Sequence, residues 1–150
     1  VERLRDGEEL CEHARNDDAW QVREAAIRRV DDAAVLANRA KWDKAWQVRK
    51  AALQRLEDQT VLANRAKNDE DWSVRLTAVE RLADPGLLAN RAQWDVDARV
   101  RRAAVSRLRD DILLAKICER DPEESVRSAA AERLAQRTDD GADGEPAAGP

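Results

Sequence analysis

Trp46-Gln47-Val48-Arg49-Lys50-Ala51-Ala52-Leu53-Gln54-Arg55-Leu56 decides the reading of this chain, because it is one of several near-copies. Its Val-Arg pair returns as Val22-Arg23, Val74-Arg75, Val100-Arg101 and Val126-Arg127, each 26 residues from the next. Self-similarity at a fixed period of this length marks a stacked repeat array, in which each unit buries its apolar face against its neighbours.

Within the quoted stretch, Val48, Ala51, Ala52 and Leu56 fall on one side of a helix at 3.6 residues per turn. Their equivalents, such as Val22, Ala25, Ala26 and Val30, stay apolar or small, with Thr77 the one polar intrusion. The opposite side varies freely, as in Gln21, Glu24 and Arg28 or Ser73, Leu76 and Glu80. The constant side is expected to be buried and the variable side to face water or a partner.

Two aspartates recur at the same period: Asp17, Asp43, Asp69, Asp95 and Asp121, and Asp6, Asp32, Asp58, Asp84 and Asp110. Asp84 and Asp121 are each followed by proline, and Asp at an N-cap with Pro next starts a helix. The spacing therefore predicts two helices per unit. The longer, Val-Arg helices are expected near 18–30, 44–56, 70–82, 96–108 and 122–134. The shorter ones are expected near 59–67 and its equivalents. Val1-Glu2-Arg3-Leu4 matches Val79-Glu80-Arg81-Leu82, so the chain is read as opening inside a Val-Arg helix, with a second helix at 7–16. The array covers 1–137, and 138–150 reads as a disordered acidic Gly/Pro tail. With no Met and Val1 first, the sequence reads as a fragment or a processed product.

The pattern Asp69-Glu70-Asp71-Trp72-Ser73-Val74-Arg75-Leu76-Thr77-Ala78-Val79-Glu80-Arg81-Leu82 resembles half of a HEAT or HEAT-like repeat, in which an Asp precedes the Arg of a Val-Arg pair by six residues. The compact unit is also similar to the bacterial leucine-rich repeat variant family, although two lone cysteines do not supply that family's iron–sulfur cluster. The resemblance implies an all-α, right-handed α-solenoid of stacked two-helix repeats. It also implies a binding scaffold, with the Val-Arg helices lining the concave side.

Charge narrows the partner. The net charge is −4, with 31 acidic and 27 basic residues. Four of the acids, Asp139, Asp140, Asp143 and Glu145, lie in the tail, so the array itself is neutral. A neutral array lacks the broad basic field that drives nucleic-acid binding. No apolar run reaches membrane-spanning length, and no signal peptide opens the sequence, so a cytoplasmic location is expected. Cys11 and Cys118 lie four units apart, too far for a disulfide, and read as small core residues in a reducing compartment.

The recurring Asp43, Arg49, Asp69, Arg75, Asp95 and Arg101 read as a structural ladder, in which each Arg buries its stem and bonds a carboxylate and helix-end carbonyls. A second series, His13, Arg39, Arg65 and Arg91, carries Ile117 at its last place. With Asn38, Asn64 and Asn90 it reads either as stems draped over the core or as an anion-binding ridge. The tryptophans Trp20, Trp42, Trp46, Trp72 and Trp94 read either as staples onto the next repeat or as an exposed aromatic row.

Function is expected where the repeat is broken. The fourth unit places Arg99, Arg102 and Arg109 on its variable face, with Leu76 and Trp72 as apolar neighbours. These five are the candidate partner-binding residues, suited to another protein or an acidic peptide segment. The acidic tail folding back on this patch is a further expectation. No catalytic constellation, cofactor motif or metal-ligand spacing is visible, and His13 has no second His or nearby Cys, so the chain reads as a non-enzymatic protein-interaction scaffold. The alternatives are a HEAT-like subunit of an enzyme complex of chromophore-lyase or DNA-repair type, nucleic-acid binding through the basic fourth unit, and a structural spacer.

Overall fold

A computed structural model of the protein describes residues 2–142, with side chains from Arg5 to Gly141. The described residues form helices and no strand. They divide into two compact units, one up to Ala83 and one from Asp84 onward.

The first unit holds α1 (Glu2–Asn16), α2 (Trp20–Ile27), α3 (Ala33–Trp42), α4 (Trp46–Leu53), α5 (Gln59–Asn68) and α6 (Trp72–Arg81). The helices pack in sequential pairs, α1 on α2, α3 on α4 and α5 on α6. Across the pairs, α2, α4 and α6 form one layer and α1, α3 and α5 the other. The second unit holds α7 (Pro85–Trp94), α8 (Ala98–Val105), α9 (Asp111–Arg120) and α10 (Glu124–Ala142). There α7 packs on α8, α9 on α10, and α8 on α10. Among the described residues no helix is long and apolar enough to cross a membrane.

Helices α3, α5, α7 and α9 start where the second aspartate series expects them. Asp32 accepts the N–H groups of Ala34 and Val35 at 2.8 and 3.1 Å. Asp58 does the same for Thr60 and Val61. Asp84 accepts from Leu87, with Pro85 in the first turn, and Asp110 accepts from Leu113. Each such cap satisfies donors that the first turn leaves orphaned, worth about 1 kcal/mol.

The first aspartate series does something else. Asp43 closes α3, in extended backbone, and its side chain accepts the N–H of Ala45 at 2.9 Å. Asp69, Asp95 and Asp121 make the same turn onto the residue two places on. That turn delays the next helix, whose N-cap is Ala45, Asp71 or Asp97. At the other end of α2, the N–H groups of Arg29 and Val30 both reach the carbonyl of Ala26, tightening the last turn. The Val-Arg helices α2, α4 and α8 are thus shorter than α3, α5 and α7, 8 residues against 10, reversing the expected order. Val30 still reaches the core.

Three more expectations change. The opening is one continuous helix, α1, without a break at Asp6. Val22 and Ala25 are exposed, whereas Val48 and Ala51 are fully buried. The cause is that α4 lies between α2 and α6, whereas among the described helices α2 packs in its layer against α4 alone. At the far end α10 runs through residues 138–142, taking in part of the segment read as tail. Arg137 of α10 donates to Asp111, tying that stretch to α9. The rest of the expected tail, 143–150, lies outside the described residues.

Candidate functional site

Arg23 donates from Nε and Nη2 to the two carboxylate oxygens of Asp43, both at 2.9 Å. Arg49 grips Asp69 in the same way, and Arg101 grips Asp121 at 2.9 and 3.1 Å. In each case the third nitrogen, Nη1, turns back to the carbonyl of the Asp six residues upstream: Asp17, Asp43 or Asp95. Arg75 and Arg127 make that same backward bond to Asp69 and Asp121.

Burial makes these bonds strong. Asp43, Asp69 and Asp95 are each 4% exposed, and Arg49, Arg75 and Arg101 no more than 7%. Burial alone would raise the Asp43 carboxyl. The Arg23 hydrogen bonds, the Ala45 N–H and the charges of Arg23 and Arg39 outweigh it and hold Asp43 below its ordinary value. Burial likewise pulls Arg49 down, and Asp69 with its acidic neighbours pulls it up further. No buried side-chain nitrogen or oxygen among the described residues lacks a partner.

The other arginines of the helix ends are also engaged. Arg55 donates to the carbonyls of Ile27 and Val30 and to Asp31, Arg81 to the carbonyl of Leu56, and Arg133 to that of Leu108. These carbonyls lie at the ends of the preceding Val-Arg segments, where helix acceptors go begging. Arg39, Arg65 and Arg91 each reach the side chain of the preceding Asn and lie 3.4–3.6 Å from a ladder carboxylate.

The candidate partner-binding residues separate on inspection. Arg102 and Arg109 are exposed, and neither side chain makes a hydrogen bond or ion pair among the described residues. Arg99 is exposed but lies against Asp97, which accepts from its Nε and Nη2 at 3.0 and 2.7 Å. Leu76 and Trp72 belong to the first unit. Leu76 is half-buried rather than exposed, and Ser73, also expected on the open face, is buried with its hydroxyl donating to Asp71. Flanking helices cover more of a short helix than its sequence pattern suggests, leaving one narrow strip free. Trp72 is 36% exposed and Trp46 41%.

Of the tryptophans read either as staples or as an exposed row, only Trp72 entered the candidate set, yet two others are more exposed. Trp42 is 71% and Trp94 69% exposed, at the ends of α3 and α7, so neither is a staple. The available signal was their irregularity, since other units carry Asn16, Asn68 and Arg120 at that place. His13 lies 3.6 Å from Asp17. Among the described residues no three His, Cys, Asp or Glu side chains gather as metal ligands. Cys11 and Cys118 are both free and half-buried.

Compared with known proteins, the chain matches no family model, no curated protein and no solved structure.

Proposed function

We propose that this chain is a HEAT-like repeat array, two helices every 26 residues wound right-handed, that serves as a non-enzymatic scaffold binding a partner segment through its Val-Arg helices. One observation carries the reading. The recurring arginines Arg23, Arg49, Arg75, Arg101 and Arg127, with Arg55, Arg81 and Arg133, are consumed by the fold, while Arg102 and Arg109, on the variable face, stand exposed and without a partner among the described residues, on and just after α8. Cations presented by a packed helix and the turn after it, yet not needed by the packing, favour an acidic partner and speed its encounter.

The experiment is affinity capture from a native lysate with the full chain and its Arg102→Glu/Arg109→Glu variant. Loss of specific partners from the variant supports the reading. Identical capture by both proteins, or capture of nothing by either, counts against it.

A further inference from the structure

In the layer of odd-numbered helices of the first unit, one arginine per step bridges neighbours. Arg39 of α3 donates from Nη1 to the carbonyl of Arg15 at the end of α1, at 3.2 Å. Arg65 of α5 donates in the same way to the carbonyl of Lys41 near the end of α3, at 3.3 Å. A guanidinium thus occupies the furrow between consecutive helices, and the space left beside Arg65 is small, about 220 Å³, and lined by charged groups.

At the step from α7 to α9 the matching residue is Ile117. It has no donor to send back to Gln93, which corresponds to Arg15 and Lys41. The furrow stays open as a groove of about 300 Å³. Leu113 and Ile117, at most 9% exposed, form its floor, and the exposed Trp94 forms one wall. Lys116 and Arg120 stand at the rim, both exposed and neither engaged in a hydrogen bond or ion pair among the described residues. The nearby carboxylate, Asp121, is already occupied: Arg101 holds both oxygens, and the Glu123 N–H donates to Oδ1 at 3.0 Å.

We infer that this groove receives one bulky apolar side chain from an acidic segment of another protein, whose flanking carboxylates meet Lys116 and Arg120. The inference rests on the scaffold reading above but places a contact on the other helix layer, away from Arg102 and Arg109. An exposed indole beside an apolar floor is the kind of anchor that carries binding energy. The two unneutralised cations set the sign of what surrounds the anchor, because a basic segment meets only repulsion there.

The test is a nuclear magnetic resonance titration of the full chain. The probe is a blocked peptide of glutamates around one central leucine. The Trp94 indole N–H signal and the Ile117 and Arg120 amide signals are expected to move. A peptide with alanine at its centre should bind at least about tenfold more weakly, and one with lysines for glutamates should leave those signals in place. Ile117→Arg restores the residue that earlier steps carry, so the fold is retained while the groove closes and binding weakens at least about tenfold. Lys116→Glu/Arg120→Glu should transfer the preference to the lysine peptide.

Movement confined to α8 around Arg102 overturns the groove and leaves the scaffold reading standing. No movement anywhere also overturns the groove, and the capture experiment then decides the scaffold reading separately. If Asp143→Asn/Glu145→Gln moves the Trp94 signal of the unliganded chain, the occupant is the chain's own C-terminal segment, and the assignment to another protein is wrong.

Discussion

Arg49 donates from Nε and Nη2 to both carboxylate oxygens of Asp69, at 2.9 Å each, across twenty residues of sequence. Its Nη1 holds the carbonyl of Asp43 at 2.9 Å. One guanidinium therefore ties the turn before α4 to the turn before α6, and Asp69 in turn shapes the latter by accepting the Asp71 N–H. The bidentate fork is what a planar guanidinium offers and an ammonium does not.

Removing Arg49 takes away the fork that holds both oxygens of the buried Asp69, leaving Arg65 3.4 Å from its carboxylate and Arg75 on its backbone carbonyl. Arg49→Ala is expected to cost about 3 kcal/mol, the scale for breaking one side of a buried pair. Arg102→Ala removes an exposed, unpaired cation and should stay within about 0.5 kcal/mol. Urea unfolding of the two variants checks this, and equal losses would deny the ladder its structural role.

The two aspartate series should respond differently to the same change. Asp58 acts as a neutral-tolerant cap, and Asn caps as well as Asp, so Asp58→Asn should shift stability by no more than about 0.5 kcal/mol. Asp43 must present two charged oxygens to Arg23, so Asp43→Asn should cost about 2 kcal/mol. Thermal unfolding of both variants is the measurement.

Acid should expose the same asymmetry. The folded Asp43 carboxyl is held below its ordinary value, so its contribution is complete above that value and is lost as pH falls toward the lower, folded one. Asp71, also lowered because the hydrogen bonds from Ser73 and Val74 outweigh its burial, adds in the same direction. Wild-type stability should drop more steeply than that of Asp43→Asn below about pH 4. Parallel curves from denaturant titrations across that range would remove Asp43 as a source of acid sensitivity.

The all-α class and the caps at Asp32, Asp58, Asp84 and Asp110 were legible, because both depend on local spacing. The partner of each arginine was not. The sequence shows Asp43 six residues before Arg49, yet the carboxylate that Arg49 grips is Asp69, and such a pairing exists only once helices are packed. Exposure was hidden for the same reason: Ser73 and Gln21 hold the same repeat position, but one is buried and the other exposed. In the candidate patch, the exposure of Arg102 and Arg109 was legible from their variable positions, while the pairing of Arg99 with Asp97 depends on side-chain geometry.

The tryptophans can be sorted by solvent access. Trp42 and Trp94 present far more surface than Trp46 and Trp72. Replacing the first pair with phenylalanine should remove more of the iodide-quenchable fluorescence than replacing the second. If the second pair proves the more quenchable, the exposed-indole assignment, and with it the wall of the α7/α9 groove, is wrong.

The last expectation compares one repeat position in two settings. Val22 and Val48 are equivalent in sequence, but Val22 is 40% exposed and Val48 is fully buried. Val48 sits where α4 meets neighbours on both sides, so Val48→Ala strips buried methyl surface and leaves a void, costing about 2 kcal/mol. Val22 already faces water over much of its surface, so Val22→Ala should cost well under about 1 kcal/mol. Denaturant unfolding of the two variants separates sequence pattern from packing. Equal losses would mean that the outer face of α2 is covered in solution, and a concentration-dependent loss for Val22→Ala would identify a second copy of the chain as the cover.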